Sequence, residues 1–488
     1  MNTLVNTASH VWDLVEPEHL EQRVQEFRRL RELGMIAQSG DFFPSVHYPP
    51  ITMYPPAEPE QVLAGYTLPP DGLFDVYLHV PFCERRCIFC HYPVKFGKFG
   101  DKTHPETERY LAALEREMDI FREHLGIDRF VARSILVGGG TPTLLTPAQL
   151  DRMLTAFKER VDCSRVTQFN FDVDPGTLVD HYGAERRQIL RSHGVDRLTI
   201  GIQSLDDKVL AKMHRPHDVK TALAAIDACQ ADGFQLNIEF IFGYPGQTLE
   251  GWMEMIAQAV RLGVDEIQLY RLKIESYGDA QGPIDRIVRL RPQELPVFED
   301  AIRMKQAAID ILAAHGYHEN LRRVFSKEPS KYSHYAHNQC CQLYDEVGFG
   351  LTAFSSLRDR FLLNTQSFEE YYQRIDSGRL PANRGLKRSL DDQKRWAAVL
   401  PLKNRDIDKA LYRERTGIEF ADAFPTLWKE LEGEGLVEDK GAFAGLTKKG
   451  AFFADEVCHQ FHTPAYIPFA PDEYAPGRLN PYRTQAVV

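Results

Sequence analysis

Three cysteines lie close together in the sequence YLHVPFCERRCIFCHYP, where Cys83, Cys87 and Cys90 form the pattern C-x3-C-x2-C. Thiolates are the usual protein ligands of iron–sulfur clusters, and three thiolates on one loop can bind three irons of a four-iron cluster. The fourth iron then lacks a protein ligand and is open to a small molecule. The spacing therefore predicts a redox-active iron–sulfur cluster with one open coordination site.

A zinc site is the alternative interpretation of these cysteines. Zinc usually takes four ligands, commonly in two separated pairs, whereas this loop offers three cysteines without a second pair. His91 directly follows Cys90, and adjacent residues bind one ion awkwardly. The pattern therefore favours the iron–sulfur cluster. The remaining cysteines are too scattered for the disulfide framework of a secreted domain: Cys163, Cys229, Cys340, Cys341 and Cys458.

The elements that must position these cysteines alternate between strands and helices. Six short β-branched runs are predicted strands: 73–80, 133–140, 168–175, 197–204, 235–243 and 266–274. Helical patterns lie between them, for example at 106–125, 147–160, 217–232 and 248–262. This repetition implies a parallel sheet, and six units are too few for a closed eight-stranded barrel. We predict an α/β fold with an open six-stranded (β/α)6 partial TIM barrel and chemistry at the carboxyl ends of its strands.

Several candidate ligand-binding residues lie near these predicted strand ends. Gly138, Gly139 and Gly140 end the second strand, where missing side chains let a ligand approach backbone N–H and C=O groups, and Thr141 follows in the turn. Four polar residues share this placement near later strands: Asp172, Gln203, Arg215 and Glu239. An unpaired charge inside a barrel is costly, so we expect these residues to contact a ligand. A structural Arg215–Asp172 salt bridge is the alternative.

Two aromatic residues belong to the same region. Tyr77 lies on the strand that enters the cysteine loop, and Phe89 directly precedes Cys90. Each ring is predicted to pack against a bound ligand, with ordinary core packing as the alternative. Cys340 and Cys341 are adjacent, and we interpret them as buried or idle thiols rather than reactive ones.

The rest of the chain divides by pattern into flanking segments. Residues 1–70 read as an N-terminal extension with an amphipathic helix over 17–35, followed by the proline-rich run FFPSVHYPPITMYPP. The partial barrel is expected over 71–290 and a barrel-completing segment over 291–385. Residues 386–463 read as helices at 391–400, 405–416, 419–434 and 447–461 with a short hairpin, which is typical of a winged helix. An extended tail is expected over 464–488.

The composition excludes some classes of partner. The net charge of −11 disfavours a nonspecific nucleic-acid binder, which needs a basic face. No apolar run approaches the roughly 20 residues that span a bilayer, so no membrane partner is expected. The first seventeen residues contain no Lys or Arg and no apolar signal-like stretch. We therefore predict a cytoplasmic protein.

The cysteine pattern after a first strand resembles the signature of the radical S-adenosylmethionine (SAM) superfamily. The ordered runs YLHVPFC, GGGTPT, FDVDP, GIQS and FIFGYPGQT resemble its HemN-like branch, the oxygen-independent coproporphyrinogen III oxidase family. The match covers roughly 73–275 and continues more weakly in 347–354 and the C-terminal unit. The resemblance implies a 4Fe-4S cluster that reductively cleaves SAM to a 5′-deoxyadenosyl radical, a flavodoxin- or ferredoxin-type electron donor and often a second SAM.

The resemblance also implies roles for individual residues. The glycine loop would receive the amino group of SAM, Phe89 would contact its adenine, and Tyr77, the candidate catalytic residue, would pack by its sulfonium. The family surrounds SAM with an acid, a Gln, an Arg and an acid at the positions of Asp172, Gln203, Arg215 and Glu239. Here the acids are Asp then Glu, whereas the coproporphyrinogen enzymes carry Glu then Asp.

Three reactions remain open. We rank methyl or methylene transfer to an sp2 carbon first, including cyclopropanation, then oxidative decarboxylation of a tetrapyrrole, then haem handling as in the related haem chaperone. Two departures weigh against decarboxylation: Tyr92 stands where those enzymes carry a further Cys, and PPITMYPPA replaces their N-terminal Arg-Tyr-Thr-Ser-Tyr-Pro-Thr segment. The run LYRLKIES at 269–276 resembles the chaperone. The substrate is thus expected to be a small molecule, either a natural-product intermediate or a tetrapyrrole.

Overall fold

The computed structural model describes residues 11–39, 43–99, 104–274 and 282–483. The start of the predicted extension, the last residues of the tail and the end of the run LYRLKIES lie outside these described residues. Within the described ranges the chain forms eighteen strands. In chain order, β1 to β18, they are Leu73–Val80, Phe82–Cys83, Lys95–Phe96, Phe130–Gly139, Val161–Asp162, Phe169–Val173, Arg197–Gln203, Gln235–Phe242, Glu266–Arg271, His318–Leu321, Val324–Ser326, Glu346–Phe349, Phe354–Leu357, Arg360–Asn364, Ala382–Lys387, Asp406–Asp408, Val437–Lys440 and Phe443–Leu446.

Helices connect most of these strands. In the described ranges, α1 to α19 are Pro17–Glu32, Pro59–Leu63, Pro105–Leu125, Pro147–Arg160, Pro175–Val179, Gly183–Ser192, Asp207–Lys212, Val219–Ala231, Leu249–Ala259, Pro283–Leu290, Phe298–Ala314, His334–His337, Phe368–Asp376, Leu390–Asn404, Lys409–Thr416, Phe420–Ala423, Pro425–Gly433, Lys448–Phe452 and Ala454–His459. None of the described helices is long and apolar enough to cross a membrane. Many begin at a polar cap, such as Thr146 before α4, whose side chain and Gln149 form a capping box.

The six predicted strands form one continuous parallel array. Their order in the sheet is β1, β4, β6, β7, β8 and β9, and each neighbouring pair is parallel. Helices α3, α4, α8 and α9 connect them at the places where the amphipathic patterns occur. The predicted open (β/α)6 partial barrel is therefore confirmed, and the carboxyl ends of its strands meet at one edge, here called the mouth.

The sheet extends beyond both edges of this array. Strand β12 pairs in parallel with β1 and leads into the antiparallel strands β13, β14 and β15, while β11 and β10 continue antiparallel from β9. The segment 291–385 thus supplies strands to both edges of the sheet. Its sequence looks irregular because these strands are short and lack the helical connections that mark the central units.

The two faces of strand β1 have opposite character. Its buried apolar residues join the main core beneath the surrounding helices: Phe74, Val76, Leu78 and Val80. The alternate residues Asp75, Tyr77 and His79 face the other side, because successive side chains of a strand point in opposite directions. The barrel interior is therefore polar, and its polar residues are held in register by the sheet.

The C-terminal unit is a winged-helix-like domain with a three-stranded sheet in the order β16, β18, β17. Residues 405–408 were expected to begin a helix, but Asp406–Asp408 forms β16 because Ile407 is buried and Asp408 caps the following α15. The predicted helix 419–434 is two helices, since Pro425 starts α17 anew. The predicted helix 447–461 is also split, at Phe453.

The N-terminal extension packs against the C-terminal unit. Apolar residues of α1 share one core cluster with residues of α14 and α19. The backbone N–H of Ser45 donates to Asp455 at 2.7 Å, and Lys403 Nζ donates to the Ser45 carbonyl at 2.9 Å. Leu479 N–H donates to the Leu33 carbonyl at 2.9 Å. Segments more than 400 residues apart in sequence are thereby joined.

Candidate active site

The cysteine loop follows β1 directly at the mouth of the barrel. Backbone bonds hold it in place: Ile88 N–H donates to the Met213 carbonyl at 3.0 Å, and Gly97 N–H donates to the Cys83 carbonyl at 3.1 Å. Ile88 also packs into an apolar cluster formed with α7, β8 and α10, with Phe89 at its edge. The loop therefore has a fixed conformation on the barrel rather than projecting from it.

The three thiols of the loop are half-buried. Burial raises the pKa of Cys83 to about 12, and burial also raises the pKa of Cys90. Negative charge on the neighbouring thiols adds to the rise in pKa at Cys83 and Cys90. Within the described ranges, no three His, Cys, Asp or Glu side chains are grouped to hold a single metal ion.

Each glycine of the triplet lies against a different neighbour, which leaves no room for a side chain. A Cβ atom at Gly138 would lie 2.5 Å from a carboxylate oxygen of Asp172, and one at Gly139 would lie 2.8 Å from the His79 ring. A Cβ atom at Gly140 would lie 2.6 Å from a carbonyl oxygen of the cysteine loop. Gly139 also has a φ of +116°, which favours glycine. The triplet lets the cysteine loop and Asp172 pack closely against β4, in addition to any contact with a ligand.

Asp172 and Glu239 face one another inside the barrel, as their alternation along β6 and β8 predicts. Burial and the charge of Glu239 together raise the pKa of Asp172 to about 7. Burial also raises the pKa of Glu239, whose Oε1 accepts a hydrogen bond from Tyr270 at 3.2 Å. The site therefore holds two acidic groups that can accept hydrogen bonds from ligand hydroxyls or share a proton.

Gln203 enters the site through an irregularity in β7. The register of β7 against β8 shifts between Gly201 and Gln203, and Gln203 adopts a φ of +72°. A positive φ is costly for a residue with a side chain, and such residues concentrate at functional sites. Its side-chain Oε1 is buried and has no hydrogen-bond partner within the described part of the chain. The bulge thus presents a free acceptor at the mouth.

Arg215 makes three contacts near the cysteine loop. Its Nη2 donates to Asp174 at 2.8 Å and to the Gly201 carbonyl, and its Nη1 donates to Cys87 Sγ at 3.2 Å. The alternative that we considered, a salt bridge to Asp172, is wrong in its partner: the ion pair forms with Asp174. Asp174 lies just beyond the end of β6, closer to the mouth, so its carboxylate meets the guanidinium there.

Tyr77 and Phe89 occupy different surroundings. The Tyr77 hydroxyl contacts Nδ1 of His79 at 3.0 Å and lies close to Gly138. Phe89 is half-buried against the apolar cluster beside the loop. The Thr141 hydroxyl lies 3.8 Å from Cys83 Sγ. The structure thus brings these predicted residues to the mouth, together with the cysteines and the four polar residues.

Sequence reasoning misses Asp174, Tyr270 and the position of Tyr92. Asp174 stands in the quoted run FDVDP, but its residue type gives no signal that it pairs with Arg215. Tyr92 is 55% exposed and lies near enough to Asp172 and Glu239 for their charges to act on its hydroxyl.

The mouth has the donors and acceptors that a zwitterionic nucleoside cofactor needs. In the described structure, three of its buried polar atoms lack a partner: Gln203 Oε1, Arg215 Nε and His79 Nε2. A ligand bound at the mouth would satisfy these three atoms. The Arg215 cation suits a carboxylate, and the acidic pair suits an ammonium or hydroxyl group. The residues present fit a three-cysteine cluster with SAM beside it.

Comparisons with known proteins agree with this site. The family model of the radical SAM superfamily matches residues 77–259. The heme chaperone HemW of Bacillus subtilis is 27% identical over 388 residues, covering 79% of this chain and 98% of that protein. An oxygen-independent coproporphyrinogen III oxidase of Pseudomonas aeruginosa is 25% identical over 441 residues, covering 85% and 88%.

The fold has a solved counterpart. The structure of coproporphyrinogen III oxidase (HemN) from Escherichia coli superposes with a TM-score of 0.69 at 23% identity, covering 84% of this chain and 93% of that one. The 4Fe-4S cluster and SAM follow from the family. Together, these comparisons support a radical SAM assignment in the HemN-like branch: residues 77–259 match the superfamily model, and most of the chain is similar to HemN-like proteins.

Proposed function

We propose that this radical SAM enzyme acts on a tetrapyrrole, with oxidative decarboxylation of a propionate side chain as the first hypothesis. The observation that carries the proposal is the meeting of the cysteine loop, Arg215 and the acidic pair at one mouth. The relatives that support the substrate class are named coproporphyrinogen III oxidases and align over most of both chains. This order reverses the one based on sequence, which put methyl transfer first.

In this proposal, the chain's own residues bind the cluster and SAM and orient them. Cys83, Cys87 and Cys90 are proposed to hold the cluster, and the glycine loop with Thr141 to line the SAM site. Gln203 and Arg215 offer an acceptor and a cation, and Asp172 with Glu239 offers hydroxyl-binding oxygens. When bound, cluster and SAM together supply an electron and a 5′-deoxyadenosyl radical that abstracts hydrogen from a carbon.

Tyr77 and Phe89 are proposed to pack against SAM at its sulfonium and adenine ends. Their rings lie at the mouth among largely buried residues, where exclusion of water protects reactive species. In a decarboxylation, the substrate would lose one hydrogen atom, which ends in 5′-deoxyadenosine, together with carbon dioxide and one electron, which passes to a one-electron acceptor. We assign the acceptor and the reductant to flavodoxin- or ferredoxin-type proteins in the cytoplasm.

Methyl or methylene transfer is the second candidate, and Tyr92 favours it. Decarboxylases of the family carry a cysteine at this position, whereas this chain has an exposed tyrosine there. Transfer chemistry would use a second SAM as the source of the methyl group. Haem handling is the third candidate, and the similarity to the heme chaperone HemW of Bacillus subtilis supports it.

One assay separates the three candidates. Anaerobically reconstituted and reduced protein is incubated with SAM and coproporphyrinogen III, haem or no substrate, and both nucleosides and carbon dioxide are quantified. Decarboxylation gives 5′-deoxyadenosine with carbon dioxide and no S-adenosylhomocysteine. Equal amounts of S-adenosylhomocysteine and 5′-deoxyadenosine would replace the first hypothesis with transfer. Stoichiometric haem binding with neither nucleoside would replace it with haem handling. The triple Cys→Ala variant at 83, 87 and 90 is the control.

A further inference from the structure

We propose that Asp174 and Arg215 form a positioning pair that raises the reduction potential of the cluster through a hydrogen bond to Cys87. The inference rests on the proposed function in one respect, since it takes Cys87 to be a cluster ligand. It assigns to Arg215 a role beyond the SAM contact implied by the family resemblance, and it assigns a role to Asp174.

The geometry distinguishes Cys87 from the other two ligands. A guanidinium nitrogen of Arg215 lies 3.2 Å from Cys87 Sγ, within range of an N–H···S hydrogen bond. The Thr141 hydroxyl lies farther from Cys83 Sγ, at 3.8 Å, and it is neutral. The side chain of Arg215 is only 11% exposed, so solvent screens its charge weakly. The cluster would therefore receive an asymmetric, charge-assisted contact on one ligand.

Asp174 is itself fixed, which makes it able to position the arginine. Its Oδ1 accepts from Gly176 N–H at 2.9 Å, and its Oδ2 accepts from Arg215 at 2.8 Å. The buried ring of His217 lies 3.5 Å from the same carboxylate and contacts the Ile202 carbonyl at 3.3 Å. Burial alone would raise the pKa of Asp174, but Arg215 and His217 hold it below its usual value. The carboxylate is thus charged and held from both sides.

A hydrogen bond to a cluster sulfur stabilises the more negative, reduced cluster and raises its potential. The guanidinium charge acts in the same direction, because it favours the added electron. Asp174 carries the opposite charge and by itself would lower the potential. Its net effect therefore depends on whether it acts mainly as a charge or mainly as the support that keeps Arg215 against Cys87.

The first experiment measures the midpoint potential of the reconstituted cluster by an EPR-monitored anaerobic titration, alongside iron content. For Arg215→Gln we expect about a tenfold fall in the reduction equilibrium constant, or about 59 mV for one electron. Arg215→Lys keeps the charge and should shift less, in the same direction; it carries the test if Arg215→Gln does not retain iron. Arg187→Gln is the matched control, since Arg187 is 14% exposed and pairs with Asp232 rather than with a residue of the cysteine loop.

Asp174→Asn separates positioning from charge. Asparagine has one acceptor oxygen where Asp174 uses two, so it cannot accept from both Gly176 N–H and Arg215, and it loses the charge that attracts the guanidinium. Arg215 should therefore leave Cys87, and the potential should fall. Simple loss of a negative charge would instead raise the potential, and that result would overturn the positioning role. An unchanged potential in Arg215→Gln and Arg215→Lys with full iron content would overturn the whole inference. Wild-type protein without a four-iron cluster would sink the proposed function itself, which is a distinguishable result.

Discussion

Two buried arginine–carboxylate pairs lie in the same barrel and differ in what they leave unsatisfied. Arg197 and Glu266, each the first residue of its strand, form two parallel bonds at 2.8 and 2.7 Å. Arg197 also donates to Asn170 at 2.8 Å. At the mouth, Arg215 divides its donors between Asp174 and Cys87 and keeps a buried Nε without a partner in the described structure.

The difference separates a structural pair from a ligand-binding one. The pair at the amino ends of the strands satisfies itself, so its value lies in holding β6, β7 and β9 together. The pair at the carboxyl ends is incomplete without a ligand, and so are neighbouring polar atoms of the mouth. Of these two pairs, the one at the mouth is therefore the one that keeps a buried donor for a ligand.

The largest expected effect is the loss of iron binding at the mouth. Replacing Cys83, Cys87 and Cys90 together with alanine should abolish iron binding, because no other thiol stands on this loop. The brown absorption and iron content of the reconstituted protein measure it. A triple variant that still assembles a SAM-cleaving cluster would contradict the assignment.

The next largest effect removes the Arg197–Glu266 ion pair at the amino ends of the strands. Glu266→Gln leaves Arg197 as an uncompensated buried charge and should lower the free energy of unfolding by about 3–5 kcal/mol. Urea unfolding of the apo protein measures it. Arg187→Gln, which alters a less buried pair, serves as the comparison and should cost less. A Glu266→Gln variant as stable as wild type would contradict the structural role assigned to the Arg197–Glu266 pair.

The buried acid Glu346 predicts that the free energy of unfolding depends on pH. Burial raises the pKa of Glu346 to about 8 in the folded protein, whereas it titrates near 4.5 when unfolded. The folded state thus binds the proton more tightly, so the stability it contributes is full below pH 4.5 and is lost as pH rises towards 8. Glu346→Gln should therefore gain stability relative to wild type between pH 5 and pH 8. An equal difference at both pH values would show that Glu346 is ionised when folded.

The affinity for SAM tests the contrast between the amino and the carboxyl ends of the barrel strands. Asp172→Ala or Arg215→Ala should weaken SAM binding by about 1.5–3 kcal/mol, roughly 10- to 150-fold, through loss of a charge-assisted contact. Iron content should stay close to wild type, and Arg187→Gln should bind SAM normally. Equilibrium binding to reconstituted protein measures it. Unchanged affinity in both variants would return these residues to structural roles.

The smallest expected effect concerns Cys340. It is buried within a small apolar cluster, and burial raises its pKa to about 12, so it is a poor nucleophile. Cys340→Ala should cost roughly 1 kcal/mol of stability and leave SAM cleavage unchanged. Thermal unfolding and 5′-deoxyadenosine formation measure the two. Loss of cleavage in a folded variant would assign the thiol a reactive role.

The sequence predicts the central barrel well because its signals are local. β-branched runs of five to ten residues alternate with capped amphipathic helices, and the cysteine loop and glycine triplet sit at fixed offsets from strand ends. The strands of 291–385 are less predictable, since short antiparallel strands depend on partners far away in the chain. The break at Phe453 is likewise a consequence of packing rather than of residue type.

Within the site, residue positions are predictable and partnerships are not. Alternation along β6 and β8 places Asp172 and Glu239 on one face, and the structure agrees. The partner of Arg215 is Asp174 rather than Asp172, because residues past a strand end no longer follow its alternation. The positive φ of Gln203 arises from a register shift between two strands, which no local pattern encodes.

The joining of the N-terminal extension to the C-terminal unit has a consequence for the order of folding. Through their backbone atoms, Leu33 and Ser45 form hydrogen bonds with Leu479 and Asp455. The ribosome adds these partners more than 400 residues later. Contacts of such long sequence separation form slowly. The barrel can assemble from its own local units first, whereas the extension must wait until those later residues have been made. An early product of synthesis would therefore carry a formed cysteine loop and an unpacked N-terminal helix, and chaperones would meet it in that state.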